Sequence, residues 1–175
     1  MSIRFVIGFL ACVATGLVGV VVWQQCQNEI DKRIYINNLS IAHQAGFAMF
    51  DYLQDHNERY PDVDRWEDEL RPYLKGMPVT LQSRGGVPHR LGINVHLSGH
   101  SDGDFAELSR IIMFYETADG HPNAHGVPTD ALRFSASPAL MCADGHPGYG
   151  RNGCGNSDDF RYSSDPESMG LVGKK

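Results

Sequence analysis

Apolar and polar positions divide this chain into distinct regimes. From Phe5 to Trp23 it reads FVIGFLACVATGLVGVVVW, with no charged residue. At a helical rise of about 1.5 Å per residue, such a run crosses a bilayer core of roughly 30 Å. Beyond it the pattern becomes amphipathic. Ile30, Ile34, Ile41, Ala45, Ala48 and Tyr52 recur at spacings of three, four and seven, and Leu39, Ala42, Met49 and Leu53 widen the stripe. This spacing predicts a helix over 24–58 with one face to bury. Pro61 sets its end near Glu58, because the residue before a proline is driven out of helical geometry.

The next signals are shorter. Asp64-Arg-Trp-Glu67 has the form of a capping box and opens a short helix over 65–74, with Pro72 inside it and Gly76 as a stop. The period then changes towards two. Leu91, Ile93, Val95 and Leu97 alternate with Gly92, Asn94 and His96, as in a half-buried strand. Asp104 is placed to cap a turn through Leu108. Ile111–Tyr115 reads as a central strand, a polar loop follows over Thr117–Thr129, and Ala131–Ser135 and Ala139–Ala143 read as further short strands. Asp144-Gly145 is a turn signal.

The expected fold class is therefore α+β, a long N-terminal helix packed on a small antiparallel sheet with strands within 79–146. The expected division is a cytoplasmic N-terminus at 1–4, a transmembrane helix at 5–23, an extracytoplasmic domain at 24–155 and a flexible polar tail at 156–175. The apolar run is longer than a signal-peptide core and ends in Val-Val-Val-Trp without a small-x-small site, so it reads as an anchor. Arg4 and the amino terminus are the nearest positive charges, which places the N-terminus inside and the body outside. Small residues at Gly8, Cys12 and Gly16, and at Ala11, Thr15 and Gly19, either form faces for helix contact in lipid or are the ordinary furnishing of a membrane helix. Membrane lipid and protein partners through the transmembrane or long helix are the expected contacts. The formal charge of −6, without a basic stripe, argues against nucleic acid.

Several strings carry a family resemblance. Asn38–Pro61 resembles the helix of bacterial type II secretion pseudopilins and related prepilin-type proteins, closest to the group with a His-x9-Asp-Gly motif. Arg65-Trp-Glu-Asp-Glu-Leu-Arg-Pro-Tyr-Leu74 looks like that group's next segment, and Ile112–Glu116 and Ala143–His146 look like its later landmarks. The resemblance covers roughly 34–146. It implies a pilin-like fold in the bacterial inner membrane with a periplasmic body, and it makes Trp66, Glu116, Asp144 and Gly145 landmarks of structure. The chain also departs from the family pattern. Gly8-Phe9 lies inside the apolar run, the fifth position after it is Val13 instead of glutamate, Phe134 stands at the motif histidine, and Val79-Thr80 lies where a Cys-Pro pair is usual. The expectation is a divergent relative that keeps its anchor.

Chemistry has few footholds. Glu116, Asp119, His121 and His125, with Asp144 and His146 if the strands bring them near, are the candidate ligands for a divalent metal. The alternative for the same stretch is a solvated loop. Ser98–Asp104 is a glycine-bearing acidic loop with a faint likeness to calcium loops, and some pseudopilins bind calcium in C-terminal loops; Asp104 as a helix cap is the simpler reading. Cys142 and Cys154 would both lie where disulfides persist, and a bridge would close a C-terminal loop much as in many pilins; otherwise Cys142 is a small buried apolar residue. Nucleophile elbows and phosphate-binding glycine loops are missing from the sequence. The expectation is a non-catalytic, membrane-anchored structural or interaction protein without a cofactor. The alternative is a metal-binding or hydrolytic module built on the Glu116–His125 loop with Asp144 and His146.

Overall fold

The amphipathic stripe lies on α1, which runs from Ile3 to Asp55. Ala42, Ala45, Ala48, Met49, Tyr52 and Leu53 are all buried. The computed structural model describes residues 3–83, 88–129, 138–149 and 154, with side chains from Gly16 through 148 in those ranges and at Cys154. The expected strand Ala131–Ser135, Phe134 and the tail 156–175 lie outside the described residues.

The chain divides into two compact units, Met1–Ile34 and Tyr35–Lys175. In the first, helical backbone carries Leu17, Val18, Val20, Val21, Val22 and Trp23 at 54–66 % exposure. Among the described residues no helix is long and apolar enough to cross a membrane. The side chains of Phe5–Thr15, the other part of the apolar run, lie outside the described residues.

The second unit is α+β, the last turns of α1 and a short α2 (Trp66–Leu74) accompanying a six-stranded sheet. The strands are β1 (Thr80–Leu81), β2 (His89–Asn94), β3 (Ile112–Thr117), β4 (His125–Gly126), β5 (Ala139–Cys142) and β6 (Pro147–Tyr149). The order β1-β2-β3-β5-β6 is antiparallel throughout, and β4 pairs with β2 in parallel. The expected central strand is β3, flanked on both sides. A β-bulge between Ile112 and Phe114 sends Met113 and Phe114 into the main core and leaves Ile112 and Tyr115 in a second cluster. The main core joins Met49, Trp66, Leu70, Leu91, Ile93, Phe114 and Met141; the second holds Leu140, Cys142 and Cys154.

Two glycines set how closely helix and sheet approach. A Cβ at Gly46 would run into the Met141 side chain. Gly145, at φ +94° in the β5–β6 turn, would put one 2.7 Å from the Phe50 ring. A third contact is polar. Buried Asn38 donates from Nδ2 to the Gln82 carbonyl at 2.8 Å and accepts the Gln82 N–H at 2.9 Å, as a neighbouring strand would.

The structure corrects four local expectations. Helix α1 stops at Asp55, three residues early, because Asn57 and Glu58 take left-handed conformations and the Glu58 N–H returns to the Leu53 carbonyl at 2.7 Å. No capping box opens α2: its N-cap is Arg65, without a side-chain cap. Instead Asn123 Oδ1, from a distant loop, accepts the Glu67 N–H at 2.8 Å. The strand expected through Leu97 ends at Asn94, whose side chain accepts the His96 N–H and folds Val95–Leu97 into a 3-10 turn. Asp104 caps no turn through Leu108; its Oδ2 accepts from the Ser101 N–H and hydroxyl and closes the 3-10 turn Asp102–Asp104.

Candidate functional site

Glu116 ends the buried part of β3 and is itself 6 % exposed. A carboxylate so placed needs donors on both oxygens. His89 Nδ1 donates to Oε1 at 2.6 Å, and the Ala139 N–H donates to Oε2 at 3.1 Å. Glu116 thus ties β2 and β5 to β3, and both its oxygens are engaged.

The loop Thr117–Thr129 is a clamp on α2. Asp119 accepts the His121 N–H at 3.0 Å in an Asx turn, with His121 itself exposed. Asn123, at φ +58°, caps α2 through Oδ1 and donates from Nδ2 to Asp68 at 3.1 Å. That bond from Asn123, with a second from Arg71, holds the Asp68 carboxyl below its usual range. The Ala124 carbonyl accepts from Trp66 Nε1 at 2.9 Å and from the Ile93 N–H at 3.1 Å. His125 donates from Nδ1 to the Asn123 carbonyl at 2.9 Å and places Nε2 3.5 Å from Asp64.

The expected convergence of Glu116, Asp119, His121 and His125 with Asp144 and His146 is therefore not what the structure contains. Glu116, Asp119 and His125 are hydrogen-bonded to other partners, His121 is exposed, and no convergent metal-ligand group among the described residues includes these four. Asp144 and His146 converge with Cys142 instead, their ligand atoms lying within 4.8 Å of one another. The β5–β6 turn makes this grouping: the Cys142 N–H donates to the His146 carbonyl at 2.9 Å, and the Gly145 N–H to the Cys142 carbonyl at 3.0 Å. Asp144 Oδ1 accepts from both the backbone N–H and Nδ1 of His146. The Cys142 sulfur is bonded to Cys154, with the Cα atoms 5.7 Å apart.

Three arrangements escape sequence reasoning. One is the Asn123 cap, whose only sequence signal is an asparagine in a Pro-Asn turn. Another is the ion pair of Arg90 on β2 with Glu67 on α2, in which Arg90 Nε and Glu67 Oε1 are buried without hydrogen bonds. The last is the loop Ser98–Asp104, expected as a helix cap or a faint calcium loop. Here Tyr60 donates its N–H to the His100 carbonyl at 3.0 Å, and Asp102 donates its N–H to the Glu58 carbonyl at 3.0 Å. The Tyr60 hydroxyl and Asp102 Oδ1 are buried without hydrogen bonds of normal geometry, yet close enough to perturb one another. Burial, and then the Asp102 charge, pushes the Tyr60 phenol well above its usual range. Burial also raises the Asp102 carboxyl, against the pull of Tyr60.

Set against protein-family models, curated proteins and solved structures, this chain matches none.

Proposed function

We propose that this chain is a membrane-anchored, extracytoplasmic, pilin-like structural or interaction protein of the bacterial inner membrane, non-catalytic, held by Phe5–Trp23 with the N-terminus inside. The observation that carries the reading is the run of large apolar side chains from Leu17 to Trp23, all more than half exposed, continuing a sequence without charge back to Phe5. A helix apolar all round is favourable only within a large core or in lipid. Two further features support it. The Cys142–Cys154 bridge suits a compartment where disulfides persist. Within the Thr117–Thr129 loop Asn123 caps α2, the Ala124 carbonyl takes the Trp66 indole N–H, and Asp119 closes a local turn, which favours a scaffold over a hydrolytic site.

The test is alkaline carbonate extraction of native membranes, followed by intact mass of the extracted protein. Retention in the membrane at full-length mass is the expected result. Release into the carbonate supernatant overturns the anchor, and a mass lacking Met1–Gly8 replaces the permanent anchor with prepilin-type processing. A C-terminal alkaline phosphatase fusion should be active, and an inactive, stable fusion would reverse the orientation.

A further inference from the structure

Every protein disulfide begins as two thiols, so the β5–β6 hairpin exists first in a dithiol form. In the disulfide form the turn holds the Asp144 carboxylate and the His146 ring beside the Cys142 sulfur, the three ligand atoms within 4.8 Å of one another, and reduction frees both the Cys142 and Cys154 sulfurs next to them. Two of these donors already meet, His146 Nδ1 in hydrogen-bond contact with Asp144 Oδ1. The sulfurs are fully buried, whereas the Asp144 and His146 side chains are 35 % and 41 % exposed, so the cluster runs from the sheet's second core to the surface. The geometry points to a zinc site in the dithiol protein, formed by Cys142, Cys154, Asp144 and His146.

The donor set carries the choice of metal. Two thiolates, one imidazole and one carboxylate make four ligands of the types zinc takes in tetrahedral sites, and the sulfurs exclude the hard cations calcium and magnesium. The sulfurs need only part to the edge of a zinc tetrahedron, about 3.8 Å for Zn–S bonds of about 2.3 Å. The hairpin fixes the remaining ligands beforehand through the Cys142–His146 and Gly145–Cys142 backbone bonds. Binding releases the two thiol protons, and His146 ligates as neutral imidazole with its N–H on the other ring nitrogen. Metal and disulfide exclude one another, since each uses both sulfurs. Conversion of the zinc form to the disulfide form requires an oxidant of the protein-disulfide class. It accepts two electrons from the thiolates and two protons from water to become a dithiol, the Cys142–Cys154 bond forms, and the zinc ion leaves.

Cobalt(II) is the probe, because tetrahedral thiolate coordination gives it characteristic visible and near-ultraviolet absorption. The protein is full-length, in detergent, with Cys12→Ser and Cys26→Ser so that only the paired cysteines remain. It is compared as the disulfide and after anaerobic reduction by a dithiol that is then removed. The reduced protein should bind one equivalent of cobalt, displaced by one equivalent of zinc, and the disulfide protein none. His146→Ala and Asp144→Asn change exposed side chains and leave the core intact. Each should weaken the reduced site by more than the roughly 10–100-fold typical of an outer-shell change. Absence of tetrahedral cobalt absorption in the reduced protein overturns the proposal. So does absorption that survives both substitutions unchanged, because the thiols would then bind metal without the hairpin. Equal binding by the disulfide form overturns it as well.

Discussion

Residues 17–23 and 42–53 belong to the same helix, make the same kind of backbone hydrogen bonds and have opposite fates. In the first stretch every large apolar side chain is exposed. In the second, Ala42, Ala45, Ala48, Met49, Tyr52 and Leu53 are buried at 0–6 % exposure, and of its large apolar side chains Phe47 alone is exposed, at 55 %. Apolar content does not distinguish them, since the exposed stretch is the greasier one. The body-side helix is shaped for a partner in its own chain: alanines and Gly46 let Met141 and the sheet come close. The Leu17–Trp23 stretch offers bulky side chains all round, which suits a solvent of lipid tails better than a single packed face. Stability of the body should accordingly be insensitive to the first stretch and steeply sensitive to the residues that meet the second.

The largest effect expected is from Trp66→Ala. Fully buried Trp66 packs on Phe114 and donates to the Ala124 carbonyl, so its loss should cost about 3–5 kcal/mol in denaturant unfolding of the body. A near-neutral result would remove Trp66 as the centre of the core. Asn38→Ala should cost about 1–3 kcal/mol in the same assay by leaving both backbone groups of Gln82 without their protein partner. If it costs nothing, α1 and the sheet are joined by apolar packing alone.

A smaller effect is confined to the pH dependence. Burial raises the folded-state pKa of Asp102, so its contribution is fully present below the ordinary aspartate range and is lost as pH rises through the raised value. Wild-type protein should lose stability over that window. Asp102→Asn should flatten the slope there, as followed by thermal melts at stepped pH; an unchanged slope assigns it to another group. Leu17→Asp is the smallest change for the body, within about 0.5 kcal/mol of wild type in unfolding. The same substitution should reduce carbonate-resistant membrane retention, because an aspartate deep in a bilayer costs about 2.5–3.5 kcal/mol. Destabilisation of the body by Leu17→Asp would break the contrast between the two stretches.

What could be read in the sequence was what depends on local period. The stripe from Ile41 to Leu53 shows its buried face because a helix repeats within a few residues, and Ile112–Tyr115 shows itself as a buried strand by its unbroken apolar run. What could not be read depended on groups far apart in the chain. Asp64 has the residue type of an N-cap, but Asn123, over fifty positions away, supplies the bond. Asn94 looks like the polar half of an alternation until its side chain turns back on His96. The candidate ligands failed as a set for the same reason, since residue type says what can bind a metal and the turn at Asp144-Gly145 decides which donors meet. The spacing of Cys142, Asp144 and His146 at every second position was the available clue. It carried weight only once the hairpin had closed.

The pairing of Asn38 with Gln82 has a meaning for crowded conditions as well as for the folded chain. The two-residue strand β1 is a margin of the sheet, and the backbone just past it is where a stray extended peptide would add itself. At that position a helix side chain already occupies both the donor and the acceptor. The chain therefore covers this point of the border with an amide instead of a lysine or a proline, and the N–H and C=O of Gln82 are not free to take up a further strand.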